Sequence, residues 1–280
     1  MSEDARLAAA LWETGGWEAT NIAAAVVGPE GTLATIGPGD RSFRLASVTK
    51  LLAAYACLIA VEEGTLDLDE PTGPPGVTVR HLLAHAGGYG FDTGVLLLPE
   101  RKRIYSNTGF DALAEHLAHN AGMPAGDYVH LAVFEPLKMF HTDLRGSSLA
   151  HGAWSTGADL ARFAQELLSP TLVHPDTLAL ATTVAYPGLA GILPGVGPQN
   201  PNDWGLGFEI RSFKTPHWTG TSNSPATFGH FGAAGTFLWV DPAIERSLVV
   251  LTDRNFGPWA LSAWPPLADA VVAAHHPEPT

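Results

Sequence analysis

Cysteine is almost missing from this chain: Cys57 is the only one in 280 residues. No intramolecular disulfide can therefore frame the fold, the redox compartment stays open, and a lone thiol inside an apolar run reads as a small core residue. Charge is scarce too, at 15% of residues, and it is lopsided, with 15 Lys and Arg against 28 Asp and Glu for a net charge of −13. Repulsion argues against nucleic acid or an anionic membrane surface as partner and leaves small neutral or cationic ligands. No apolar run is long enough to span a bilayer, and the start, Met1-Ser2-Glu3-Asp4-Ala5-Arg6-Leu7, carries acids where a signal peptide carries bases. A cytoplasmic protein is expected. With 46% hydrophobic residues the chain is globular, long enough for one large domain or for a domain with a substantial insertion.

Lysine is the other rarity. There are four, Lys50, Lys102, Lys138 and Lys214, and only Lys50 has a serine, Ser47, three residues before it. The adjoining run, residues 51–61, is apolar on every side apart from Tyr55 and Cys57, which predicts a helix buried all round. If its first turn is helical, Ser47 and Lys50 share a face. Burial lowers an amine's pKa, so Lys50 is a candidate proton acceptor for Ser47, and the helix N-terminus favours a developing alkoxide. The plain alternative is that Ser47 or Thr49 caps the helix while Lys50 reaches solvent.

Along the chain, residues 3–13 predict a short amphipathic helix, and 22–27 with 32–36 a β-hairpin around Gly28-Pro29-Glu30-Gly31. Residues 66–186 show helical patterns at 79–86, 109–120, 127–136 and 159–168, the last behind Thr156 and Asp159 in near capping-box spacing, and no convincing strand pair. The Gly-, Pro- and Asn-rich segment 187–203 reads as a long loop or lid. Strand patterns come next at 205–211, 227–231, 236–240 and 247–252, then a closing helix at 259–274. Strands at both ends with helices between imply an α+β fold, an antiparallel sheet flanked by helices and assembled from segments 1–65 and 187–280, with 66–186 as an inserted all-helical domain.

Three further groups carry chemistry. Tyr105-Ser106-Asn107 precedes a helix, and its phenol and amide can relay a proton and orient a carbonyl. In Gly229-His230-Phe231-Gly232-Ala233 two glycines sit within a strand pattern, where glycine marks the close approach of another group. A ligand lying along Gly232 would meet the Ala233 N–H, which with the Ser47 N–H would make an oxyanion hole. The aromatics Phe91, Trp154, Trp204 and Trp218 are candidates for the cleft wall or, equally, for the core. His81 and His85 have helical zinc spacing, but no Glu comes directly after His81, so both read as structural.

Ser47-x-x-Lys50, Tyr105-Ser106-Asn107 and His230-Phe231-Gly232, in this order, resemble the three signatures of the serine β-lactamase and penicillin-binding-protein superfamily, in its class C, DD-carboxypeptidase and esterase branch. Stretches 81–88, 135–139, 154–160, 204–208 and 251–254 look like landmarks of the same family. The resemblance implies a β-lactamase/transpeptidase-like fold and a serine hydrolase working through an acyl-enzyme. It makes Ser47 the nucleophile, Lys50 and Tyr105 a shared base, Ser47 and Ala233 the oxyanion donors, and Asn107 and His230 substrate-orienting groups. Phe231, Gly232, Trp204 and Trp154 would line the substrate site; no cofactor or metal is required. The partner is a small ester, amide or lactam, with the oligomeric state open. Phe231 stands where family members usually carry a Thr or Ser that helps hold a substrate carboxylate, which implies an esterase on small neutral esters. β-Lactamase, D-alanyl-D-alanine carboxypeptidase or D-aminopeptidase, acyltransferase and non-catalytic binding roles are the alternatives.

Overall fold

A computed structural model describes residues 1–146 and 148–275. Its strands are β1 (Ile22–Gly28), β2 (Gly31–Ile36), β3 (Phe43–Arg44), β4 (Asp143–Leu144), β5 (Ala153–Ser155), β6 (Gly191–Leu193), β7 (Gly197–Gln199), β8 (Glu209–Ile210), β9 (Phe228–Gly232), β10 (Thr236–Asp241) and β11 (Arg246–Thr252). The α-helices are α1 (Glu3–Ala10), α2 (Thr49–Glu62), α3 (Val79–Leu83), α4 (Asn107–Ala121), α5 (Ala125–Val129), α6 (Gly157–Leu168), α7 (Pro175–Ala181) and α8 (Pro258–His275).

Both chain ends meet in one antiparallel sheet of order β2-β1-β11-β10-β9-β8, in which Ile22 pairs with Thr252 and Val27 with Ser247. Period-two alternation decides what each face buries. Phe237, Trp239, Leu248 and Val250 join the core beneath α1 and α8, while Leu238, Val240, Val249 and Leu251 join the one that holds α2 and α6. Phe237 and Trp264 of α8 meet at a centroid distance of 4.8 Å. The apolar run on α2 is buried without a break from Thr49 to Ala60. Its one phenol is satisfied inside the core, because Tyr55 Oη donates to Glu166 Oε1 at 2.6 Å.

The fold class stands as predicted from the sequence, with one correction: segment 66–186 is not wholly helical. It contributes β4 and β5, which extend β3 into a small second sheet. Strands of two and three residues are too short for alternation to show. The 205–211 strand shrinks to β8 because Gly205 and Gly207 make a turn, the latter at φ +86°, that brings Trp204 opposite Glu209. The 187–203 segment is not loop throughout, since β6 and β7 form a hairpin in it.

The turn that carries Ser47 is held from two sides, by β5 and by the main sheet. Residues Ala46–Val48 form a tight 3₁₀ turn ahead of α2, and Ala46 has φ +46°. The Leu45 N–H donates to Ala153 O at 2.9 Å, and the Ala153 N–H donates to Thr49 Oγ1 at 3.0 Å. From the sheet, Thr236 Oγ1 donates to Leu45 O at 2.9 Å. Gly232 is what lets β9 come this close, since a Cβ on it would stand 2.2 Å from Leu45 O. The sequence marked this glycine for a ligand; the group it admits is the protein's own turn. Gly232→Ala therefore has no free space, and overpacking of this kind costs at least ~1–3 kcal/mol. A urea melt should show that loss, and a variant as stable as the parent would mean that the turn yields freely.

Candidate active site

The N-terminal turn of α2, the loop leading into α4 and the end of β9 converge on a cavity of about 140 Å³. Ser47, Tyr105, Trp204, His230, Phe231 and Ala233 border it, as do Phe91 and the β6–β7 turn through Leu193, Pro194 and Gly195. Ser47 is partly open, whereas Lys50 behind it is wholly buried.

Lys50 Nζ donates to Asn107 Oδ1 at 2.7 Å and to Ala150 O at 2.9 Å, and it lies 4.6 Å from the centroid of the Tyr105 ring. Burial lowers its pKa to about 7, against the opposing pull of Asp111 and Asp92. Tyr105 is displaced the other way. Burial pushes its phenol above the usual range, Ser47 being the polar neighbour that opposes the shift, and its hydroxyl has no partner of good hydrogen-bond geometry. Asn107 is engaged at both ends of its amide, because Nδ2 donates to Asp92 Oδ1 at 2.8 Å. The residue expected to orient the substrate thus lies in direct contact with the Lys50 amine. Ser106 caps α4 by accepting from the Gly109 N–H at 2.8 Å and anchors the loop by donating to Gly90 O at 2.6 Å.

His230 shares the wall with Tyr105 and Trp204, at centroid distances of 5.5 and 5.3 Å. Its Nδ1 is 2.6 Å from Phe231 O, a contact that calls for the proton on Nδ1 and leaves the lone pair on Nε2. Nε2 is buried without a partner, and burial beside Lys50 lowers the pKa to about 3, so the ring is neutral. Phe231, one residue on, packs against Phe256 at 4.8 Å and Trp218 at 5.5 Å while still bordering the cavity. Ala233 stands one residue past the last β9–β10 pair, Gly232 with Thr236, and is exposed.

Two predicted cleft aromatics lie elsewhere. Trp154 sits on β5 beneath the Arg145 guanidinium, 4.2 Å from its ring centroid, and lines a different hollow with Arg41, Phe43 and Arg44. Trp218 is buried and gives its indole N–H to Glu209 Oε2 at 3.0 Å. His81 and His85 have separate partners: His81 meets Glu100 at 3.1 Å, and His85 accepts the Ser106 N–H at 3.2 Å with its ring tilted against Tyr105 at a centroid distance of 4.7 Å. Among the described residues no group of three or more His, Cys, Asp or Glu is placed to hold a metal ion.

Sequence reasoning missed Glu209, a buried carboxylate that borders the cavity. Lys214 and His217 both contact it, the latter at 3.1 Å. Burial alone would raise its pKa, but these two partners prevail and hold the carboxyl well below its usual range. The signal was an acid between Phe208 and Ile210, a charge where the pattern called for a core residue.

Known proteins place this arrangement. The Beta-lactamase family model matches residues 12–273. A beta-lactamase from Mycobacterium bovis, known as a crystal structure, is 55% identical, with a TM-score of 0.94 over 95% of this chain and 99% of its own. A D-stereospecific amidohydrolase from Streptomyces sp. shares the fold at 19% identity and a TM-score of 0.69, covering 99% of this chain and 98% of that one. Penicillin-binding protein 4* of Bacillus subtilis (strain 168) is 26% identical over 183 residues, which are 51% of this chain but only 39% of that protein. A match that leaves so little of the chain outside it, joined to near superposition on a relative more than half identical, makes this protein a serine hydrolase of the beta-lactamase family.

Proposed function

We propose that the protein cleaves neutral carboxylic esters through an acyl-enzyme on Ser47, with Lys50 as the base. The observation that carries this reading is the hydrogen bonding of Lys50. A neutral amine has two N–H bonds and one lone pair; the two hydrogens go to Asn107 Oδ1 and Ala150 O, and the lone pair is left over. With a pKa of about 7 that neutral form is abundant at neutral pH. Tyr105, pushed upward by burial, stays a phenol and serves as a relay between Ser47 and the amine rather than as a phenolate base.

In the forward step Ser47 Oγ attacks the ester carbonyl as its proton passes to Lys50. The N–H groups of Ser47 and Ala233 hold the oxyanion. Collapse breaks the ester C–O bond, and the departing alkoxide takes the proton back. Water then repeats the sequence on the acyl-enzyme and frees the acid. The choice of neutral substrates rests on Phe231 and His230. An apolar ring and an unprotonated imidazole nitrogen offer a carboxylate neither a donor nor a positive charge, and a missing donor costs the polar partner heavily.

A phosphonate ester should add to intact protein at Ser47, and Ser47→Ala should gain no adduct. Under the same conditions kcat/KM for a p-nitrophenyl ester should exceed that for nitrocefin; the reverse order would return the protein to lactam cleavage, and equal labelling of Ser47→Ala would remove the acyl-enzyme.

The pH profile tests the base. Only the deprotonated amine accepts a proton, so kcat/KM should climb tenfold per pH unit in acid and level off above about 7, where Lys50 loses its charge. Lys50→Met should lower kcat by about 10²–10⁴-fold, the range for a positioned acid–base group, and should lose that acid limb. A limb that survives in the variant would assign the ionisation to another group.

A further inference from the structure

The cavity at Ser47, about 140 Å³, is too small for an ordinary ligand, whose sites run to roughly 300–1,000 Å³. It does not end there. Phe91, Tyr105 and Pro194 are also walls of an adjoining groove of about 600 Å³ that passes between residues 102–104 and the β6–β7 hairpin.

Among the polar side chains of this groove Lys102 and Asn200 are exposed, while Arg103 and Gln199 are already engaged. The Arg103 guanidinium donates to the carbonyls of Ala84, Ala185, Tyr186 and Asn202 at 2.6–3.1 Å, and Gln199 Nε2 donates to Pro216 O at 3.0 Å. Apart from Lys102 and Asn200, what is left to touch a ligand is mainly apolar: Ile104, Ala190, Ile192, Pro194 and Pro198. Ile192 is 65% exposed and Phe91 50%, so the protein does not cover this surface itself. The groove is also held in shape, since the Arg103 N–H donates to Ala190 O at 2.9 Å and a Cβ on Gly191 would lie 2.2 Å from Arg103 O.

We infer that the natural ester carries an extended apolar chain, on its acyl or its alcohol side, that leaves Ser47 past Phe91 and Tyr105 and lies along this groove. This rests on the acyl-enzyme reading above and adds the size and polarity of the substrate.

The test is a homologous series of p-nitrophenyl esters from acetate to octanoate, with acetates of alcohols from methanol to octanol as the second arm. In at least one arm kcat/KM should rise with each methylene, by about fourfold at most for full burial, and by tenfold or more over the first four. Ile192→Asp, a change at an exposed position, should flatten that slope, while Ile192→Leu should keep it. The slope is a ratio within one protein, so a general loss of activity does not alter it. Ser47-dependent turnover with flat series in both arms, or a slope that Ile192→Asp leaves intact, overturns the groove. Turnover that does not depend on Ser47 strikes the acyl-enzyme reading instead. The groove is then judged on Ser47→Ala protein by ligand-observed NMR, where octyl acetate must bind at least tenfold tighter than methyl acetate; equal binding rejects it.

Discussion

An amine enclosed in apolar surroundings is the constraint on which the site depends. Taking a charged ammonium out of water is costly, and a protein relieves that cost either by pairing the charge or by removing it. Here both groups in contact with Lys50 Nζ are neutral acceptors, one amide oxygen and one backbone carbonyl. The carboxylates of Asp92 and Asp111 act only from the next layer, enough to restrain the fall in pKa without reversing it. The arrangement draws on distant parts of the chain: α2 supplies the amine, the start of α4 supplies Asn107, and the segment before β5 supplies the Ala150 carbonyl.

The same economy of charge extends across the cavity. Glu209 is ionised at its border, yet Lys214, His217 and the Trp218 indole saturate it from the far side. His230 contributes an uncharged ring. A chain with a formal charge of −13 thus shows its substrate a wall that is close to neutral. The net charge governs the outer surface and the approach of ions, screened within about 10 Å in ordinary salt; it says little about the few ångströms around Ser47.

How much of this was legible in the sequence depends on the kind of order involved. The buried helix after Lys50, the β1–β2 hairpin and strands β9 to β11 were readable because each sustains an apolar or strand-like pattern over five or more residues. Ser47, Tyr105 and His230 were readable as members of spaced motifs. Asn107 was readable in the same way, but its contacts with Lys50 and Asp92 were not, because a motif names a residue without saying which of its atoms are already engaged. Trp154 was misplaced for a related reason: an aromatic beside a strand signal carries no record of the face on which it lands. The short strands β4 and β5 left no pattern at all. Glu209 was visible as an anomaly, a carboxylate flanked by Phe208 and Ile210, but its partners Lys214 and His217 lie in a turn-rich stretch whose path only the folded chain reveals.

Arg103 carries one more consequence. Its guanidinium gathers four backbone carbonyls, and although burial lowers its pKa to about 10, it keeps its charge in mild acid, where Lys50 changes state. Backbone carbonyls do not titrate at all. The Arg103 contacts that join the Tyr105 loop to the β6–β7 hairpin therefore keep their charge where Lys50 changes its own. On the mechanism proposed above, acid acts by filling a single lone pair on Lys50, and restoring the pH empties it again.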